Sequence, residues 1–512
     1  MTQADDTRTV GRGVSRRSFL RSGSATLGTL AVIGPLSGFD ACRGPRPQHG
    51  YGPLAPVADL TTGLPLLQLP QGFTYQSFGW TGDPMDDGTL TPDRHDGMAV
   101  VDVVGRGRDR EVVLIRNHER GPSVAGNPLP TIGAGLAPVY DGFRVPGVVE
   151  GLGGGTTAVT YSRGRFTGAR ATLGGTLTNC AGGPTPWGSW LTCEEVTIRG
   201  SAIGARDHGF VFEVPSPRLG PASAVPIEAM GLMDHEAAAV DPDTGDVYLT
   251  EDNGPHSGFY RMRPHRPPHG IGALEQGGTL EMLRVVGVDN ADLGAATQGE
   301  RFTVDWVEIA DPTADPESFT SPGEGFPPIQ GSGRSGPFLQ GEAAGGAVFR
   351  RGEGCWHDDD VIYFVDTSGG PAGKGTVWAL ALGGRHRPAS LTAIYVSPDE
   401  DTADNPDNIT VSPRGGLLVC EDGGGRTAAD GSRLFGARLV GINDQGGSFH
   451  FAENNMVVES PIAGKPLIAP GDYRGSEFAG AAFSPVGDEL FVNIQTPGVT
   501  FAITGPWRRG RL

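Results

Sequence analysis

A set of acidic residues recurs in one kind of place along this chain. Glu119, Glu194, Glu195, Glu251, Asp252, Glu353, Asp366, Asp404, Asp407, Glu421 and Asp422 stand at the ends of short apolar runs or beside Gly-rich turns. Taken singly, such an acid is a solvated turn carboxylate. Taken together, carboxylates repel one another and lose hydration, so a cluster of them is tolerable only with cations among them. Oxygen ligands at this density suit Ca2+, and a thiolate or imidazole among them favours a transition metal alongside. Cys180, Cys193, Cys355 and Cys420 are the candidate thiols; four cysteines allow three pairings, and the sequence does not choose among them.

The elements that must position these acids follow one plan. Six segments each run from a turn rich in Gly, Pro or Asp, through a short apolar and β-branched strand, to a polar cluster. Asp241-Pro242-Asp243-Thr244-Gly245 leads through DVYLT to Glu251-Asp252-Asn253, and Ser412-Pro413-Arg414-Gly415-Gly416 leads through LLVC to Glu421-Asp422. The other four end at Asn117-His118-Glu119, Cys193-Glu194-Glu195, Asp366-Thr367-Ser368 and Gln495-Thr496-Pro497. The 83 glycines and 42 prolines point the same way, towards turns and strands rather than long helices. The expected fold is all-β: a six-bladed β-propeller with long loop insertions, occupying residues 43–512 as one domain. A sandwich or barrel is the competing all-β architecture. The Pro-, Gly-, Ser- and Glu-rich stretch from Asp311 to Gly346 reads as one of the insertions.

Residues 1–42 read as a cleavable twin-arginine signal, with Arg16 and Arg17 ahead of a weakly apolar run interrupted by Pro35. The run is too short and too polar to span a bilayer stably. Export of a folded protein by the twin-arginine machinery, to the periplasm or the exterior, is the expectation; Cys42 is a poor match to a lipoprotein site. The net charge of −19 argues against nucleic acid as a partner and suits cation binding.

The run Asn179-Cys180-Ala181-Gly182-Gly183-Pro184-Thr185-Pro186-Trp187-Gly188, followed by Glu194-Glu195, resembles the PhoX-type alkaline phosphatases. Asn117-His118-Glu119, Asp234-His235-Glu236-Ala237, Arg351-Gly352-Glu353-Gly354, Ser368-Gly369-Gly370, Asp404-Asn405-Pro406-Asp407-Asn408 and Glu421-Asp422-Gly423 carry the likeness across the rest of the chain. The resemblance implies a monomeric propeller that releases phosphate from small phosphomonoesters with several Ca2+ and two Fe3+ ions. By that likeness Cys180 and Glu195 ligate iron, while Glu251, Glu353, Asp407 and Glu421 hold calcium or bridge metals. Glu236 is the alternative to Glu251 and Asp404 the alternative to Asp407, with Glu119 a further metal candidate. Arg351 contacts the phosphate, for which its planar fork is better suited than a lysine. A soft thiolate beside carboxylates fits the more polarising ion at Cys180. Two other readings account for the acids: a non-catalytic exported propeller that binds calcium and a partner, and a single-calcium lactonase or esterase, which leaves Cys180 without a role.

Overall fold

The turn at Asp241 shows how the strands are delimited. The Asp241 carboxylate accepts hydrogen bonds from the Asp243 amide and the Thr244 hydroxyl, and Gly245 takes φ +79°. These contacts reverse the chain between His235–Val240 and Val247–Glu251, which pair antiparallel with Val240 opposite Val247. The computed structural model describes residues 50–512 apart from 122–129, 133–134, 136, 145–150, 202–203, 269, 321–329, 385–387 and 444–445. The twin-arginine segment, with Arg16, Arg17 and Cys42, lies outside the described residues.

The architecture is all-β and propeller-like. One sheet holds His95–Val104, Glu111–His118, Gly154–Ser162 and Arg165–Thr176 in that order, and another holds Asn179–Pro184, Ser189–Glu194 and Val211–Pro215. The set beginning at His235–Val240 and the set beginning at Gly352–Asp358 are each meanders, joined edge to edge through Arg301–Glu308 into one nine-stranded sheet. Pro406–Val411 begins a further sheet, extended at its outer edge by Leu67–Pro70. In the last sheet the early strand Thr74–Phe78 pairs with the late strand Val499–Thr504, so the two ends of the chain are stitched together. That pairing closes the ring and covers an edge that would otherwise be exposed.

Each set begins with an innermost strand, and these strands stand side by side in cyclic order: His95–Val104, Asn179–Pro184, His235–Val240, Gly352–Asp358, Pro406–Val411, Phe478–Phe483 and back to the first. Five of the six carry Gly or Ala where they approach one another closely. A Cβ on Gly97 would stand 2.5 Å from Ala181 Cα, and one on Gly354 would stand 2.6 Å from the Ile409 amide nitrogen. Together with Ala237 and Ala481 these residues close the channel, leaving about 20 Å³. Between the sheets the core is apolar and fully packed, with Trp80, Trp190, Trp378 and Trp507 buried.

The expected insertion at Asp311–Gly346 carries structure of its own. Ser318–Thr320 pairs with Gln330–Ser332, and a helix spans Gly336–Ala343, its first turn capped by the Ser335 hydroxyl accepting from the Phe338 amide. Phe338 is buried in the core. Among the described residues no helix is long and apolar enough to cross a membrane. Cys180, Cys193, Cys355 and Cys420 are all buried free thiols.

Candidate metal and phosphate site

The site is made by a repeated irregularity at the first residues of the innermost strands. In each, the pairing with the next strand skips two residues: from His95 to Met98, Asn179 to Gly182, His235 to Ala238, Gly352 to Cys355, Pro406 to Ile409 and Ala479 to Ala482. Such a bulge releases residues from the ladder and re-aims their side chains. The first residue skipped is Asp96, Cys180, Glu236, Glu353 or Asp407 in five strands and Gly480 in the sixth. The side chains converge. Ligand atoms of Cys180, Glu195 and Glu236 lie within 4.8 Å of one another, as do those of Glu236, Glu353 and Asp407, and those of Asp96, Glu119 and Glu477.

The second strand of each set contributes by alternation, since successive side chains of a strand point to opposite faces. The residue opposite the start of the inner strand turns into the body of its sheet. Glu194 accepts from His208 at 2.6 Å and from the Leu177 and Gly209 amides. Glu251 accepts from the Tyr260 hydroxyl at 2.6 Å and the Gly258 amide at 3.0 Å. Asp366 accepts from the Arg350 amide, and Glu421 takes two hydrogen bonds from Arg438, at 2.8 and 2.9 Å. The residue after it turns to the channel mouth: Glu119, Glu195 and Asp422 line the pocket there, and Asp252 meets Arg351 at its edge.

The expected residues are therefore sorted by phase. Cys180, Glu195, Glu353, Asp407, Glu119, Glu236 and Arg351 come together at the mouth. Glu251 and Glu421 face away from it, held by Tyr260 and by Arg438, and Asp404 pairs with Lys374 at 2.7 Å. Of each pair of alternatives, Glu236 rather than Glu251 and Asp407 rather than Asp404 stands in the cluster. Asp96, Glu477, Asp252 and Asp422 are additional. Asp96 had a signal, because His95-Asp96-Gly97 repeats the His-acid-small pattern of His235-Glu236-Ala237; Glu477 had none.

The pocket has a volume of about 530 Å³ and is lined by far more acid than base. Burial, reinforced by neighbouring carboxylates, pushes Asp96, Glu195, Glu236 and Glu353 well above the usual carboxyl range. It raises Asp407 to about 8 and Glu119 to about 7, and the Cys180 thiol is likewise pushed up. Cys180 Sγ donates to Glu236 Oε1 at 3.1 Å, while the buried Glu236 Oε2 finds no partner among the described residues. An orphaned carboxylate oxygen among crowded acids and one thiol is the donor set that cations satisfy: several hard oxygens, with one soft sulfur at one end.

Arg351 faces this cluster. Its guanidinium donates to Asp252 through Nε at 3.0 Å and Nη2 at 2.8 Å, and to Glu353 Oε1 at 3.0 Å. Those hydrogen bonds raise its pKa and keep it charged. The backbone there is left-handed, φ +62°, a conformation that costs a non-glycine residue energy and is held by the Arg351 amide donating to Ser257 Oγ. A Cβ on Gly254 would stand 2.6 Å from Arg351 Cγ, so the absence of a side chain there makes room for the arginine.

A family model described as alkaline phosphatase PhoX matches residues 49–135 and 149–498. Among solved structures the chain is similar to Pseudomonas fluorescens PhoX in complex with vanadate, a transition-state analogue: TM-score 0.59, 17% identity, covering 90% of this chain and 99% of that one. A gluconolactonase from Xanthomonas campestris aligns at TM-score 0.37 and 12% identity, covering 89% and 98%. No curated protein sequence matches significantly. The extent of the family match, over nearly all of the described chain and every strand that supplies the cluster, shows that this chain belongs to the alkaline phosphatase PhoX family.

Proposed function

We propose that this protein is an exported phosphomonoesterase that releases phosphate from small organic phosphates with calcium and iron as cofactors. The observation that carries the reading is the convergence of one thiol, a ring of carboxylates and Arg351 on a single pocket at the mouth of a closed channel. Family membership and the vanadate complex of the Pseudomonas fluorescens protein support the reaction class. A count of six blades is supported by the cyclic order of six innermost strands. Arg16 and Arg17 support export by the twin-arginine route.

In this reading Cys180, Glu195 and Glu236 hold iron, because they combine the sulfur with two carboxylates. Asp96, Glu119 and Glu477, and the set Glu236, Glu353 and Asp407, are oxygen-only and suit calcium. The ions supply neutralisation of phosphoryl charge and an oxygen nucleophile that is deprotonated near neutral pH. Arg351 meets the phosphate through Nη1, since Nε and Nη2 are engaged by Asp252 and Glu353, which fix the plane of the guanidinium before substrate arrives. The crowded carboxyls that hold protons in the absence of cations give them up when cations bind, so metal affinity rises with pH. No serine nucleophile is required.

The test is hydrolysis of p-nitrophenyl phosphate at alkaline pH by protein loaded with calcium and iron, with elemental analysis of the same preparation. The expected outcome is phosphate release that calcium chelation abolishes, with iron and several calcium ions per chain. Calcium without iron, and no release from monoesters, diesters or nucleotides, would overturn the reading in favour of a calcium-binding propeller.

A further inference from the structure

Arg433 also lines the pocket, in the short hairpin formed by Arg426–Thr427 and Arg433–Phe435. Its guanidinium donates to the Gly424 carbonyl at 2.6 Å, and among the described residues it forms no ion pair within 4.0 Å. Arg351 and Arg94, the other arginines at this mouth, are both engaged by carboxylates, Arg351 by Asp252 and Glu353 and Arg94 by Glu119. Asp472, which shares the lip, is occupied by Arg474 through two hydrogen bonds.

The position of the guanidinium is built. A Cβ on Gly475 would stand 3.0 Å from Arg433 Nη2 and 3.3 Å from Nη1, so the bare backbone of Gly475 forms one wall of its seat. Gly424 adopts φ +70°, which aims its carbonyl at the same group. Beside it the Tyr473 ring is held in place by its hydroxyl donating to the Ala469 carbonyl at 2.8 Å, and the ring lines the pocket. A cation on a fixed support, without a salt bridge among the described residues and in one pocket with an aromatic residue and the phosphate-binding arginine, is an arrangement that can receive a second anionic group on the same small molecule.

We propose that Arg433, with Tyr473 as its wall, forms a leaving-group subsite that favours phosphomonoesters whose alcohol carries a second negative charge, a carboxylate or another phosphate. The inference rests on the phosphatase reading and deepens it. Substrate charge is the critical variable, because the acids of the pocket repel an anionic leaving group that no cation meets.

The pair 3-phosphoglycerate and glycerol 3-phosphate tests this, since they differ chiefly in a carboxylate against a hydroxymethyl group. The quantity read is the ratio of their kcat/KM values, in metal-loaded wild type, Arg433→Met and Arg433→Lys. Arg433→Met lowers the ratio about tenfold, the worth of one charge-assisted contact at a partly exposed site, and added salt shrinks the difference. Arg433→Lys, which keeps the charge, retains most of the wild-type ratio. A ratio that stays within twofold of wild type in Arg433→Met overturns the subsite while leaving the phosphatase reading intact. Absence of hydrolysis of either ester by the wild type overturns both.

Discussion

Glu421 and Asp422 are neighbours in sequence, and the geometry assigns them opposite consequences. Glu421 and Arg438 form a buried pair, 1% and 2% exposed at their side chains, joined by two hydrogen bonds. Glu421→Gln leaves the guanidinium buried with one good acceptor lost, although the carbonyls of Glu400 and Asp401 remain. Breaking a buried pair costs roughly 3–5 kcal/mol. Here burial pushes the Glu421 carboxyl up to about 7 against the pull of Arg438, so desolvation takes back part of the pair's attraction. A loss of about 2 kcal/mol at pH 8, roughly 2 °C in Tm for a chain of this length, is the resulting figure. Asp422→Asn removes one charge from a group of mutually repelling acids, since Asp422 raises Glu119, Asp407 and Glu477. Two like charges about 5 Å apart interact at roughly 3 kcal/mol with an effective dielectric near 20, which solvent in the open pocket cuts to about 1 kcal/mol. Metal-free Asp422→Asn therefore melts slightly above metal-free wild type, whereas Glu421→Gln melts below it. With calcium added the order of effects changes: Asp422→Asn raises the calcium Kd at least tenfold, and Glu421→Gln leaves it unchanged. Scanning calorimetry with and without chelator, and calcium titration, measure both. Loss of calcium affinity in Glu421→Gln with none in Asp422→Asn would refute the alternation on which the site is built.

Three further outcomes are expected. Cys180→Ser lowers iron content at least tenfold by elemental analysis while calcium bound at the oxygen-only groups is retained. Arg351→Lys keeps the charge but loses the fork, and kcat/KM for p-nitrophenyl phosphate falls about a hundredfold. His208 gives a pH signature: burial alone would lower it, but Glu194 at 2.6 Å and Asp141 at 3.5 Å raise it to about 9. A histidine raised above its unfolded value contributes stability that is complete below about 6.5 and lost as pH rises through about 9. The Tm gap between wild type and His208→Gln accordingly narrows between pH 6.5 and 9.5.

The strands and turns were legible because their causes are local. Asp241 caps its own turn, Gly245 supplies a positive φ, and Val247 to Glu251 is a short run of β-branched, aromatic and apolar residues ending in an acid, all within a few residues. The choice between adjacent acids was not legible in the same way. Whether Glu251 or Asp252 faces the mouth depends on where the ladder meets the bulge between His235 and Ala238, and a shift of one residue exchanges the two faces. The expectation placed metal ligands at Glu251 and Glu421, one position out of phase with Glu119 and Glu195; the ladder puts Asp252 and Asp422 in phase with those two. Glu195 was found because a long motif fixed its phase. Glu477 precedes its strand and belongs to no repeated pattern, so only the folded ring brings it to Asp96 and Glu119.

The sixth bulge explains why the site has a direction. Five innermost strands present Asp96, Cys180, Glu236, Glu353 and Asp407 at the equivalent position, and the sixth presents Gly480. A side chain there is excluded twice over, by φ +61° and by a Cβ that would lie 2.5 Å from the Asp96 carbonyl oxygen. The same sector carries Tyr473, Gly475, Ser476 and Glu477 at the pocket. A ring with an acid at every bulge would add one more carboxyl to a group already pushed well above the usual carboxyl range by burial and by one another. Leaving that position bare limits the repulsion, and the acid of this sector is instead Glu477, which precedes the strand and meets Asp96 and Glu119. In the proposed reading, a molecule with one group on Arg351 meets its second charge at Arg433 in the same pocket.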